Sequence, residues 1–458
     1  MGVCAIAPRA AWATGPTLPS LTKGPYVVDV SDQGAEIRFE LASAAPAELT
    51  IAPASHFGAD AATAAPTSVV RRVTPSVDHA FRVAGLVAAT RYAYEVRVGG
   101  VAAGAGQFST APASSARGPV TFLAYGDDRS DPVAHAAVVR AMRNVPSDFL
   151  VNTGDLVQDA ASASDWQSFF DVEAPILRER PLFAAVGNHE LFDDRAGANF
   201  ERFFGVADEK GIARLYRTVR FGIVRFFFLN AMDTGWASGD ERDWLERELA
   251  HADGETGIVW RVAVLHHGPW SSGPHGPNAA LAAAGVPELL SAHRVDLVLS
   301  GHDHIYERGS SGVLKYVVTG GGGAPLYEIA HADPTARKAE AAYHFVLFEA
   351  TPESMQIEAR RQDGSVLDRC AFASGADWSC DRDAPASEGR GAERAAAIDA
   401  PARSASRCSC GAAGEGHAPR SFEMVGGALA LAALGLRRRR AVAAAAISSS
   451  ATRRSDPS

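Results

Sequence analysis

Five apolar runs, each breaking off in a short polar cluster, constrain this chain more than any other feature. Val120 to Tyr125 leads into Gly126-Asp127, Phe149 to Asn152 into Gly154-Asp155, and Leu182 to Val186 into Gly187-Asn188-His189. Ile258 to Leu265 leads into His266-His267, and Val295 to Leu299 into Gly301-His302-Asp303-His304. Unbroken Val, Leu, Phe and Ile suit strands buried on both faces. In open α/β sheets ligands gather outside the carboxyl ends of the strands, so five distant clusters converge there.

Taken singly, a Gly-Asp after a strand is an ordinary turn, and a His-His pair says little more. Gly-Asn-His-Glu and Gly-His-Asp-His say more, because consecutive polar groups at a strand end have little packing value. Together the clusters offer two carboxylates, an amide and several imidazoles. Calcium prefers all-oxygen cages and structural zinc prefers thiolates, so this donor set suits two divalent or trivalent ions such as iron, zinc or manganese. The chain reads as a binuclear metallohydrolase.

The segments GDDR, GDLVQD, GNHE, VLHHGPW and GHDHIYER resemble, in that order, the motifs of the calcineurin-like metallophosphoesterases, and among them bacterial relatives of purple acid phosphatases. The resemblance covers roughly Gly24 to Arg369. It implies an α/β catalytic domain over 119–370, built as two mixed sheets packed face to face and flanked by helices; periodicity alone does not separate this from a doubly wound sheet. It also implies a β-sandwich of fibronectin type III-like form over 24–112. By position, Asp155 would bridge two metals, Asp127 and His304 would complete the first site, and Asn188, His267 and His302 would hold the second. His267 is preferred to His266 because it stands two residues before Pro269, as the family ligand does.

Two departures stand out. Purple acid phosphatases carry a metal-binding tyrosine three residues after the second Asp, where this chain has Gln158, so it should not be purple. The wider superfamily often has a His two residues after the first Asp, where this chain has Arg129, which cannot ligate. The first metal site is therefore one protein ligand short. The Arg129 guanidinium fork suits two phosphate oxygens at the rim of the site; the alternative is an ion pair with Asp128 or Asp131.

Such a metal pair implies hydrolysis of a phosphorylated small molecule, a monoester first, with a diester or nucleotide as the alternative. A surface binding protein with a vestigial site is the remaining reading. His189 resembles the residue that protonates the leaving alkoxide, its alternative being a hydrogen bond that steadies a ligand. His275 would line the substrate side or serve no role. Glu307 and Tyr306 are expected to orient ligands or pack. Gly320 to Gly323 lacks the Lys-Ser/Thr of a P-loop and reads as a tight turn that lets backbone approach the site. His135, His293, His331 and His344 have no motif context and are expected at the surface or in packing.

A net charge of −9 over 458 residues, with no basic stripe, argues against nucleic acid as a partner. Helical spacing marks Pro132 to Met142 and Asp240 to Leu249. Residues 1–13, ending in Ala11-Trp12-Ala13, read as a signal peptide without its start. Ala, Ser, Gly, Arg and Glu dominate 381–420, the composition of a disordered tether. Over 408–440, Cys408-Ser409-Cys410-Gly411, the apolar Met424 to Leu436 and Arg437 to Arg440 resemble a myxobacterial C-terminal sorting signal, which implies export and attachment at the cell surface. Eighteen further residues follow the Arg run, where such signals normally end. Export would let Cys370 and Cys380 form a disulfide.

Overall fold

The computed structural model describes residues 20–56, 68–205, 214–232, 236 and 239–381. The expected signal peptide, sorting signal and nearly all of the tether lie outside them. Among the described residues no helix is long and apolar enough to cross a membrane.

The chain begins with five antiparallel strands, β1 (Leu21–Val28), β2 (Gly34–Pro53), β3 (Ser68–Ala84), β4 (Arg91–Val98) and β5 (Val101–Ser109). They form one sheet in the order β1-β2-β4-β5, with β3 also on β2, where the expected sandwich has two. The reason is the length of β2: its first half pairs with β1 and β3, its second half with β3 and β4, and pairing continues across register breaks between Glu40 and Ala47. Along β4, Tyr92, Tyr94, Val96 and Val98 are buried while the residues between them are not, the period-2 pattern of a sheet packed on one face.

After an irregular stretch over 110–119 come β6 (Val120–Tyr125), β7 (Phe149–Asn152), β8 (Leu182–Ala184), β9 (Arg217–Phe221), β10 (Val224–Phe228), β11 (Trp260–Val264) and β12 (Leu297–Ser300). Then follow β13 (Tyr306–Ser311), β14 (Leu314–Thr319), β15 (Ala336–Glu340), β16 (His344–Ala350), β17 (Met355–Arg361), β18 (Val366–Phe372) and β19 (Ser379–Cys380). Two seven-stranded mixed sheets result, β19-β18-β17-β16-β6-β7-β8 and β15-β13-β14-β12-β11-β10-β9. In the first, β6, β7 and β8 run parallel; in the second, β10, β11, β12 and β14 do.

The helices are α1 (Pro132–Arg143), α2 (Ala163–Leu177), α3 (Ala198–Phe204), α4 (Asp240–Gly254), α5 (Ala279–Ala283) and α6 (Val286–Ala292). The first has the start its sequence suggests: the Asp131 carboxylate accepts from the amides of Val133 and Ala134, and Pro132 follows the cap.

Strand parity sorts the core. Phe122, Ala124, Phe149 and Val151 face Phe226, Val262, Val264 and Leu299 between the sheets, with the rings of Phe122 and Phe226 edge-on at 5.3 Å. Leu123, Tyr125 and Leu150 pack with residues of α1 and α2, and Ala263, Leu265 and Val298 with residues of α4 and α6. Each strand thus buries both faces, which explains the unbroken apolar runs. Cys370 and Cys380 form a disulfide that joins β18 to β19.

Candidate metal centre

The clusters meet at the carboxyl ends of β6, β7, β8, β11 and β12, through one repeated backbone device. Asp127, Asp155 and His302 each follow a glycine and each adopt left-handed backbone, with φ of 59°, 58° and 71°. Non-glycine residues occupy that region at a cost of about 1–3 kcal/mol. The preceding glycines are needed for room: a Cβ on Gly301 would stand 2.3 Å from Asp127 Oδ2.

Asp127, Asp155 and His266 bring ligand atoms within 4.8 Å of one another, and His266 Nε2 is the hub, 4.0 Å from Asp127 Oδ1. His266 Nε2 lies 3.2 Å from Asp155 Oδ1, 3.1 Å from Asn188 Oδ1 and 3.2 Å from His302 Nδ1. Its Nδ1–H donates to the Thr153 carbonyl at 3.0 Å, leaving the Nε2 lone pair to face the others. Ligand atoms about 2.0–2.1 Å from a tetrahedral ion stand about 3.4 Å apart, so the three contacts of His266 Nε2 have the spacing of atoms that share a small cation. Their field already favours positive charge. Burial lowers the pKa of His266, but Asp155 and Asp127 outweigh it and hold the ring up at about 9. Burial keeps His302 neutral, as a metal ligand must be.

His267, the residue preferred on sequence, is not among these groups. Its Nε2–H donates to the Gly276 carbonyl at 3.1 Å, and its ring lies against His302 with centroids 4.3 Å apart. Parity decides the exchange: Val262 and Val264 face the cleft between the sheets, and His266 continues that series, whereas His267 follows Ala263 and Leu265 on the helix side. A slip of one residue reverses every side chain.

On the other side of Asp155 the partner is Arg129. Its Nε donates to Asp155 Oδ2 at 3.0 Å, Nη2 to His304 Nε2 at 3.2 Å, and Nη1 to Gln158 Oε1 at 3.0 Å. The His304 ring has its own N–H on Nδ1, donated to the Pro325 carbonyl at 2.6 Å, so Nε2 is the acceptor. Asp127 Oδ1 is 3.5 Å from that same Nε2. Arg129 thus pairs with Asp155 and not with Asp128 or Asp131, the ion-pair partners its position suggested. Burial raises Asp155, but His266, His189 and Arg129 outweigh it and hold the carboxyl below its ordinary value.

His189 borders the same carboxylate. Its Nδ1–H donates to the Gln158 carbonyl at 2.7 Å, and Nε2 faces Asp155 Oδ2 at 3.8 Å. His275 is exposed, with its ring 4.4 Å from that of His302 and 5.4 Å from that of Tyr327, while Tyr327 stacks on His304 at 4.0 Å.

Behind these groups stand buried residues, of which Glu190, Asp303 and Glu173 were given no part by the sequence. Glu190 is fully buried and its carboxylate accepts from the amides of Asp155, Leu156, Val157 and Gly187 at 2.8–3.3 Å, tying two clusters together. Asp303 accepts from Ser271 Oγ and the His275 amide. Glu307 accepts from the Ser272 amide and the Tyr316 hydroxyl, and Tyr306 donates to Asp368. Asp128, beside Asp127, turns away to join His135 and Glu173 in a buried group. Asn152 donates to Asp128 at 2.6 Å, and His135 and Tyr125 donate to Glu173 at 2.8 and 2.9 Å. Cβ atoms on Gly320 and Gly322 would fall 2.2 Å from Asp303 O and Asp128 Oδ1, the close approach expected of that turn. His344 supports it: its amide donates to Gly321 and its ring bridges Ala342 O and Thr319 Oγ1.

Residues 131–306 match the family model of the calcineurin-like phosphoesterases. Over this stretch the chain is similar to that family. An uncharacterised protein of Mycobacterium tuberculosis is 29% identical over 272 residues, 51% of this chain and 50% of its own length. Purple acid phosphatase 15 of Arabidopsis thaliana is 28% identical over 218 residues, 43% of this chain and 41% of its own. The chain thus spans about half the length of the curated relatives it matches. The fold is shared with purple acid phosphatase PPD1 from yellow lupin (Lupinus luteus) seeds, at a TM-score of 0.64, 17% identity and coverage of 76% and 74% of the two chains. It is shared with PhoD at a TM-score of 0.63 and 14% identity, covering 81% and 93%. These purple acid phosphatase-like relatives imply divalent metal ions at the centre.

Proposed function

We propose that this chain is a metal-dependent phosphoesterase that hydrolyses phosphate monoesters of small molecules. The observation that carries the reading is His266 Nε2 within 3.1–3.2 Å of Asp155 Oδ1, Asn188 Oδ1 and His302 Nδ1, with Asp127 beside them in a cluster able to hold a metal ion. A metal ion held by them supplies Lewis acidity to a phosphoryl oxygen and makes water acidic enough to serve as nucleophile near neutral pH.

The protein's own groups arrange the rest. His266 and His302 present neutral nitrogens once a cation replaces the proton on His266. His189, steadied through Nδ1, keeps Nε2 at the edge of the site, the position for a proton given to a departing alkoxide. His275 and Tyr327 line the rim, where the ester's organic part would sit. The disulfide supports an exported protein, since such bonds persist in oxidising compartments, and surface retention through 408–440 is part of this reading.

The test is hydrolysis of p-nitrophenyl phosphate and bis-p-nitrophenyl phosphate by the metal-loaded chain, with and without chelator. Chelator-sensitive turnover of the monoester in preference to the diester is expected. Preference for the diester moves the activity to phosphodiesters, and no turnover of either by metal-loaded protein defeats the proposal.

A further inference from the structure

We propose that the Arg129 guanidinium stands permanently in the place of a second cation, so that this centre takes one metal ion, held by Asp155, Asn188, His266 and His302. The inference rests on the proposed reading of those four as a metal site.

Asp155 has two oxygens with different neighbours. Oδ1 faces His266 Nε2 at 3.2 Å, while Oδ2 accepts from Arg129 Nε at 3.0 Å. A metal bridged by Asp155 needs the Oδ2 lone pair, together with His304 Nε2 and an oxygen of Asp127. Arg129 already donates to the first two of these atoms, from two nitrogens of one planar group. A metal about 2.0–2.2 Å from Oδ2 and Nε2 would lie along the directions taken by those N–H bonds, well inside contact distance of the guanidinium. The two cations exclude each other on steric and Coulombic grounds.

Nor is the side chain free to swing away at no cost. Its third nitrogen is held by Gln158 Oε1 at 3.0 Å and by Ser130 Oγ at 3.3 Å, and the side chain is only 13% exposed. Gln158 is fixed in turn, because Ser130 Oγ donates to the same Oε1 and its own carbonyl accepts from His189. Arg129 and Gln158, the two departures from the family pattern, are thus hydrogen-bonded to each other. A guanidinium cannot lose its proton, so this positive charge is present at every pH the protein survives.

The experiment loads the full chain with excess Mn²⁺, removes unbound ion, and measures metal per chain by elemental analysis together with the electron paramagnetic resonance spectrum. Arg129→His and Arg129→Ala are treated alike, with circular dichroism to confirm that each is folded. The expected result is about one Mn²⁺ per wild-type chain with the spectrum of an isolated ion, and about two per chain, spin-coupled, in the folded variants. Two coupled ions in the wild type overturn the inference and leave the metal-site reading intact. Folded variants that still bind only one ion also overturn it, because something other than Arg129 then keeps the second ion out. A wild type that binds no metal overturns the reading on which the inference rests.

Discussion

Neighbours in sequence part company at this centre. Asp127 faces the cleft while Asp128 faces α1 and α2; His189 borders the site while Glu190 is buried beneath it; His302 and His304 point forward while Asp303 between them binds the loop at Ser271 and His275. The forward groups keep lone pairs for a cation. The rear groups spend theirs on backbone amides, hydroxyls and each other. A motif rich in Asp, Glu and His is therefore two structures in one, a donor set and the frame that aims it, and residue type alone does not tell them apart.

The sharpest way to break this division is at Asp155. Asp155→Ala should lose nearly all bound metal and bring hydrolysis to background, whereas Asp128→Asn, one layer behind, should keep its metal. Burial raises Asp128 to about 8, so the native side chain is mostly protonated near neutral pH and the amide changes its charge little. Elemental analysis of both purified variants decides, and equal metal loss in the two would erase the distinction.

Next in size is His189, which is forward-facing but not among the four donors. His189→Ala should retain metal and lose roughly 10²–10⁴ in turnover on alkyl phosphates, the usual worth of general acid catalysis. On nitrophenyl phosphate the loss should shrink, since that leaving group departs without a proton. Equal damage on both substrates would return His189 to the supporting frame.

A smaller effect belongs to the frame itself. Glu190→Gln replaces one acceptor oxygen with a donor that meets backbone N–H groups head-on. Metal affinity should fall by about 10–100-fold, the common cost of disturbing groups that orient ligands, measured by calorimetric titration. Unchanged affinity would show that the four amide contacts do not hold the donor set in place.

The smallest effect lies farthest back, at His344. Burial holds its pKa down at about 4. Above the unfolded value of about 6.5 the ring is neutral in both states and its contribution to stability is complete. As pH falls below that, the unfolded chain takes up a proton that the folded chain refuses, so stability is lost down to about pH 4. Between pH 7 and pH 5 the loss should be about 2 kcal/mol, and urea titrations of His344→Gln should show a shallower pH slope. An unchanged slope would mean that the native ring protonates freely.

How far the sequence revealed all this varied with the kind of information needed. Val120 to Tyr125 and Phe149 to Asn152 coincide with β6 and β7, and the helix expected at Pro132 to Met142 is α1 with one more residue. These are local signals: apolar runs, a cap and a proline. The choice between His266 and His267 is of another kind. It turns on which face of β11 meets the opposite sheet, and that is settled by strands far away in sequence. The helix α2 was not anticipated; its Pro175 and three phenylalanine or tryptophan residues give a weak helical pattern until the rings find the core shared with α1 and α3. Frame residues such as Glu190 and His135 were hidden for a related reason, because their partners are backbone amides or side chains that only the fold brings near.

The linker at 110–119 divides the chain in sequence but not in its interior. Val27, Ile37, Tyr94 and Phe108 of the N-terminal sheet share one buried cluster with Phe122, Phe149 and Val346 of the seven-stranded sheet that carries Asp127 and Asp155 at its strand ends. The carbonyl of Arg178, just past the end of α2, is capped from the other side of that division, by the Tyr94 hydroxyl at 3.0 Å and the Gln107 amide at 3.0 Å. The first sheet is thus part of the wall against which the phosphoesterase-like half is built. A protease that cuts the exposed stretch at Ser114 and Ser115 should leave a nicked protein that stays together and melts in a single transition, and a gene fragment beginning at Val120 should yield an insoluble chain.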